Sequence, residues 1–194
     1  MKASGRRHDT WGDEYCFYGI CATTKIIPTY VVGKRDTGTA LEFMGRLKNK
    51  LKGNGRITLV TDAFRGFLSA VPQTFGKTID YAQVIKVYES EPAGAGRYAP
   101  PRVREVVSKI VAGNPDPRYV STSYAERANL TLRTSLRRYT RLALGFSKKL
   151  ENLKAALAVY FAAYNFVTIH GTLKKTPAHA AGITSGALPM SALI

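Results

Sequence analysis

The chain has 194 residues, enough for one sizeable core with appendages, and its 45% of apolar residues excludes a disordered chain. Lys and Arg number 29 against 13 Asp and Glu, a formal net charge of +16, so a polyanionic partner is expected: DNA, RNA, ribosome or anionic membrane on charge alone. No apolar run approaches the roughly 20 residues that span a bilayer, and the opening MKASGRRHDTW lacks the apolar core of a signal peptide, so a cytoplasmic chain is expected.

Residues 1–12 read as an irregular basic lead. From Asp13 to Ala22 the run DEYCFYGICA is aromatic and β-prone, and Lys25 to Gly33, KIIPTYVVG, is a second such run; the short Thr23-Thr24 connection predicts a hairpin. Pro28 places the second run at an edge or a bulge. Cys16 and Cys21 fall in the first run at an odd separation, which points them to opposite faces and predicts two reduced, buried thiols rather than a disulfide. No third cysteine or histidine cluster offers a zinc set.

Asp36-Thr37-Gly38-Thr39 offers helix caps, and Thr39 with Glu42 matches a capping box. Ala40, Leu41, Met44, Leu47 and Leu51 then recur at helical spacing until Gly53 and Gly55 stop the helix. Arg56 to Thr61, RITLVT, predicts a buried strand ending at Asp62, followed by a short helix over 63–68. A carboxylate just past the C-terminal end of a strand is where open α/β sheets place their chemistry; a helix cap is the plainer reading. After Pro72 the order loosens, YAQVIKVY (81–88) reads as one more strand, and residues 89–118, with five prolines, read as a surface excursion.

Next comes STSYAERANLTLRTSLRRYTR, Ser121 to Arg141, as a long helix. Steps of three and four put Glu126, Asn129, Arg133 and Arg137 on one face, while Ala125, Ala128, Leu132, Leu136, Tyr139 and Ala143 form an apolar one. A single carboxylate near a helix start, with guanidinium groups below it, suits a place where a metal meets a phosphate backbone. The same residues also read as structure alone: Ser123-Tyr124-Ala125-Glu126 is a capping box, and the arginines a solvated face. Beyond Phe146, Leu150, Leu153, Leu157, Phe161 and Tyr164 form an amphipathic stripe, and Thr176-Pro177 starts a last short helix.

The blocks TLVTDAFRGFLSAV, GNPDPRYVSTSYAERANLTLRTSLRRYTRL, FSKKLEN and YNFVTIHGTLKKTPAHAAG resemble bacterial insertion-sequence transposases of the DDE superfamily, from about Gly12 to Gly182. The resemblance implies an α/β fold, an RNase H-like mixed sheet flanked by helices with further C-terminal helices, over residues 13–182, with 183–194 as a tail. It implies DNA transposition by metal-dependent phosphodiester cleavage and strand transfer. Asp62 matches the second acid of the family's triad, Glu126 the third, and Arg133 the basic position two turns below it. The acids of such enzymes hold two divalent ions, Mg²⁺ or Mn²⁺, while Arg133 would neutralise phosphate charge. Arg137, Arg138, Arg141, Lys148, Lys149, Lys174 and Lys175, with Asn129, fit tracking of a DNA backbone. His170 matches a family position, where a packed histidine is an equal reading. The implied partners are double-stranded DNA and either a second copy or an intact transposase, with no membrane, in a nucleoid-associated setting.

One departure accompanies the match. The family's core has three antiparallel strands before its first helix and carries its first acid on the first of them; here only two precede Thr39. The first strand and its Asp are therefore expected to be missing from the chain, Asp13 being a poor substitute at the start of the second. A weakly active or inactive transposase copy is the resulting expectation, with a non-catalytic DNA-binding remnant as the alternative. A basic RNA-associated protein is the reading that charge alone would favour.

Overall fold

The computed structural model describes residues 13–51, 53, 55–89, 102–140, 144, 145 and 147–193. The basic lead, the expected face residue Ala143 and Arg141, which is expected to track DNA, lie outside them. The chain divides into two units, one made of Met1–Arg35 with Ser123–Ile194 and the other of Asp36–Thr122. Together they hold a mixed α/β set of elements: a two-stranded sheet, a three-stranded mixed sheet and, among the described residues, five α-helices.

In the split unit, β1 (Tyr15–Tyr18) pairs antiparallel with β2 (Tyr30–Gly33), Tyr15 opposite Gly33 and Tyr18 opposite Tyr30. The expected hairpin is present but its strands are short. Pro28 lies in the connection, where it removes a backbone donor from any longer ladder. The tip is held instead by Cys21 N–H to the Ile26 carbonyl at 2.9 Å, with Lys25 at φ 60°. The two cysteines consequently do not share a strand: Cys21 lies beyond the end of β1, and both thiols are free and half-buried.

The same unit carries α3 (Ser123–Ser135), α4 (Leu150–Ala162) and the short α5 (Pro177–Ala180). Ile27, Leu132, Leu157 and Phe161 form its buried core. Phe161 has the Tyr18, Tyr30 and Tyr160 rings around it at centroid distances of 5.5, 4.6 and 5.3 Å. The expected stripe of α4 thus finds its partners, although Leu150, at the first turn, stays exposed. A π turn, Ala163–Val167, prolongs α4. Thr176 caps α5 as expected, accepting from the His179 N–H at 3.1 Å.

In the contiguous unit, α1 (Thr37–Lys50) buries Ala40, Phe43, Met44 and Leu47. Phe43 takes the place expected for Leu41, and Leu51 is exposed at the helix end. The cap is Asp36, whose Oδ1 accepts from the Thr39 N–H at 2.8 Å. That makes Thr39 the third helical residue rather than the cap, and Glu42 instead pairs with Arg46 one turn on.

β3 (Ile57–Asp62) runs parallel to β4 (Ile79–Tyr88), and α2 (Arg65–Phe75) connects them. The expected helix over 63–68 is therefore almost twice as long and passes through Pro72. Only the bond to the Leu68 carbonyl is forfeited there, while Val71 and Phe75 on either side are buried and hold the turn. Phe43 of α1 meets Phe67 of α2 at 6.4 Å.

The expected surface excursion is in part a strand. β5 (Val103–Ala112) pairs antiparallel with β4, giving the order β3-β4-β5. Gly113 ends β5 at φ 68°, and a Cβ there would collide with the Asp80 carboxylate. That carboxylate accepts from the Asn114 N–H at 2.6 Å and from Arg56 Nε at 2.7 Å, bonds that lower its pKa.

Candidate functional site

Asp62 is the last residue of β3, opposite Val84 of β4, at the C-terminal end of the parallel pair. Its backbone is fixed from below by a buried polar group. Gln83 Nε2 donates to the Asp62 carbonyl at 3.1 Å, and Thr61 Oγ1 lies 2.9 Å from that carbonyl and 3.0 Å from the Tyr81 hydroxyl. Burial raises the Tyr81 phenol against its bonds to Thr61 and Gln83, and the Asp62 charge adds to the rise. Neutral, hydrogen-bonded side chains therefore support an exposed carboxylate. Its Oδ1 accepts from the Phe64 N–H at 3.1 Å, closing a tight turn. Asp62 is not the cap of α2; that position belongs to Phe64, which makes no side-chain cap bond.

In the other unit, Glu126 is exposed in the first turn of α3, with Asn129 one turn on and Arg133 a further turn below. Asn129 is also a fastener. The Tyr18 hydroxyl from β1 donates to its Oδ1 at 2.9 Å, and burial raises the Tyr18 pKa, so the phenol remains a donor.

Arg137 does not share this face. α3 ends at Ser135; Leu136 turns extended at φ −112°, ψ 102°, and Arg137–Tyr139 form a single 3-10 turn. Two effects end the helix. Thr131 and Thr134 bond back to the carbonyls of Arg127 and Leu130 at 3.0 and 3.1 Å, and Leu136 and Tyr139 turn in to pack on the Leu132–Leu157–Phe161 core.

The break gathers cations by another route. Arg138 Nη1 donates to Ser147 Oγ at 2.6 Å, and Gly145 approaches Arg137 so closely that a Cβ would lie 2.9 Å from its Cγ. Arg137 and Arg138 therefore stand beside the segment that carries Lys148 and Lys149. Both lysines are exposed and precede the N-terminus of α4, where the helix dipole gives them no compensation. None of the four faces an acid among the described residues. Lys174 and Lys175 lie apart, in an exposed turn closed by Lys174 N–H to the His170 carbonyl at 2.8 Å. His170 is half-buried and its Nδ1 has no partner among the described residues; burial, then the Lys25 charge, lowers its pKa. It reads as a packed neutral ring.

Asn165 was not singled out in the sequence, and Tyr164 was expected only as the end of the α4 stripe. Asn165, in the π turn, accepts from the Ile27 N–H at 3.0 Å and donates to the Ile27 carbonyl at 2.9 Å. Tyr164 donates to the Lys25 carbonyl at 3.1 Å. The signal for both was present in YNF, an amide flanked by two aromatic residues, but only tertiary contact reveals what the amide binds.

The cysteines offer a direct check on this unit. Burial pushes the Cys16 thiol up to about 12. At Cys21 burial also acts upward, but bonds from Thr24 and Thr23 and the Lys25 charge outweigh it, so its pKa falls below the ordinary value. Thiolate is the reactive form. Iodoacetamide at pH 8 is therefore expected to modify Cys21 well before Cys16 in the folded chain, read by peptide mass mapping. Equal rates would contradict the packing around β1.

No protein-family model, no curated protein and no solved structure matches this chain. No group of three or more His, Cys, Asp or Glu that could hold a metal occurs among the described residues. What Asp62 does offer is a hard oxygen donor on a fixed backbone, with one carboxylate oxygen bonded to a single N–H and the other without a bonded partner among the described residues. That chemistry suits Mg²⁺ or Mn²⁺.

Proposed function

We propose that this chain is a DDE-type transposase core with an RNase H-like arrangement of strands, binding double-stranded DNA and weakly active or inactive in cutting it alone. The observation that carries the reading is the exposed Asp62 carboxylate at the C-terminal end of the parallel strand pair β3 and β4, joined through α2. The antiparallel hairpin β1–β2 before α1, two strands where the resembled family has three, and a helix that opens near Glu126 also support it.

By the resemblance, Asp62 and Glu126 are each a candidate ligand for Mg²⁺ or Mn²⁺, of which a complete site of that family holds two ions. When bound, the metal supplies Lewis-acid activation of a water or DNA 3′-hydroxyl and neutralises charge at the phosphate. Arg133 would offset phosphate charge from the second turn below Glu126. Two acids are few for two dications, and weak activity follows from that imbalance. Asn129, Arg137, Arg138, Lys148 and Lys149, with Lys174, Lys175 and Arg141, would hold the backbone without choosing sequence.

The cations beside Ser147, which pair with no acid among the described residues, favour a second reading, a DNA-binding chain without catalysis, because they would bind phosphate whether or not metal is held. Titration of duplex DNA against salt, with nicking of supercoiled plasmid in Mg²⁺ and Mn²⁺, separates the two. Each phosphate contact contributes about 0.9 to the slope of log K against log salt. Changing Arg137, Arg138, Lys148 and Lys149 together to Gln is expected to reduce that slope by about 3.6. Binding without nicking would select the second reading, and a marked preference for RNA would overturn both.

A further inference from the structure

β5 pairs with β4 along one edge and with no strand of the described residues along the other. It is ten residues long and carries apolar side chains in water: Val103, Val106, Val107 and Ile110 are 46, 56, 38 and 55% exposed. A long apolar edge of this kind is a template for another strand. The β4–β5 ladder is regular from Glu105 to Ile110, its two register shifts falling on either side. Glu105, Val107 and Lys109 therefore lie on one face.

Across β4, Glu105 stands opposite Val87 and Lys109 opposite Gln83, so neither meets an opposite charge in the ladder. The order Glu105-Val106-Val107-Ser108-Lys109 is, in charge, its own complement when read backwards. An antiparallel mate with the same sequence, centred on Val107, puts Glu105 against Lys109 and Lys109 against Glu105, with Val107 against Val107. Sliding the register by one or two residues either way puts no carboxylate against an ammonium, and one of these slides sets Arg104 against Lys109.

We propose that the free edge of β5 is a homodimer interface, in which two copies pair β5 antiparallel about a two-fold axis at Val107. The result is a continuous six-stranded sheet, β3-β4-β5-β5-β4-β3. The occupant is a second copy because its strand alone supplies both charges in mirrored order. This interface does not rest on the DNA-handling reading. Each chain carries +16, but at 0.15 M salt charges more than about 8 Å apart are largely screened. Close pairs are then left to decide the register.

The test is analytical ultracentrifugation of the full chain and three variants, Glu105→Lys, Lys109→Glu and the double exchange. Each single reversal converts two attractive pairs into two repulsive ones and is expected to weaken dimerisation about tenfold or more. The double exchange is expected to restore it. Circular dichroism tracks folding; a reversal that unfolds is replaced by Glu105→Gln or Lys109→Gln, expected to weaken dimerisation in the same direction by less. A chain that stays monomeric, single changes that leave association untouched, or a double exchange no better than either single would each overturn the proposal.

Discussion

Asn165→Leu is expected to destabilise the unit formed by the chain's two ends by about 2–6 kcal/mol, among the largest effects of any single change. The side chain is buried, and both its ends bind one residue, the N–H and carbonyl of Ile27. Ile27 lies in the hairpin connection just before Pro28, outside the β1–β2 ladder, so among the described residues no strand partner replaces these bonds. Leucine fills similar volume but leaves a donor and an acceptor buried without partners, at about 1–3 kcal/mol each. Against the 5–15 kcal/mol typical of a folded domain, this is a large share. Thermal melts should show a midpoint roughly 10 °C lower. A fall of under about 1 kcal/mol would mean that Ile27 is satisfied some other way. Asn165→Asp separates the polar contribution from packing. It keeps the acceptor, loses the donor and buries a charge, so its folded pKa is raised. Its stability is then present below the unfolded carboxylate range and lost as pH rises through the folded value.

Asn165 was not legible in the sequence, because its partner Ile27 lies 138 residues away. The α1 stripe and the α4 stripe were legible because a helix in water advertises its buried side through spacing alone. Thr176-Pro177 was legible because a cap is a local hydrogen bond. β5 was not: Val103-Arg104-Glu105-Val106-Val107 has no alternation, since both of its faces are largely exposed, and only pairing with β4 makes it a strand. Pro72 misled because a missing donor looks decisive locally and is outweighed by Val71 and Phe75 in the core. The end of α3 was hidden for the converse reason. Arg137 continues the helical spacing on paper, but burying Leu136 and Tyr139 needs a bend first. Of the candidate site, Asp62 at a strand end was legible from RITLVT followed by an acid. The grouping of Arg137 and Arg138 beside Lys148 was not, because it depends on Ser147 and on the absence of a side chain at Gly145.

The second large effect is on activity. Asp62→Asn is expected to reduce any Mg²⁺- or Mn²⁺-dependent nicking by about 100-fold or more, since groups that merely support metal ligands are already worth about 10–100-fold. The fold should scarcely notice. Among the described residues the Asp62 side chain makes one hydrogen bond, from the Phe64 N–H, and an asparagine oxygen can accept it in the same turn. Stability is therefore expected to change by less than about 0.5 kcal/mol, as for other exposed positions. DNA affinity should hold or rise slightly, because one negative charge is removed from a basic chain. Loss of nicking at unchanged melting temperature and salt slope assigns Asp62 to metal. Asp62→Ala separates turn from ligand: it removes the turn acceptor too, so a measurable drop in stability appears in the alanine variant and not in the asparagine one. Nicking that persists undiminished in Asp62→Asn would show that the carboxylate at the end of β3 serves the turn alone, and the transposase reading would lose the observation on which it rests.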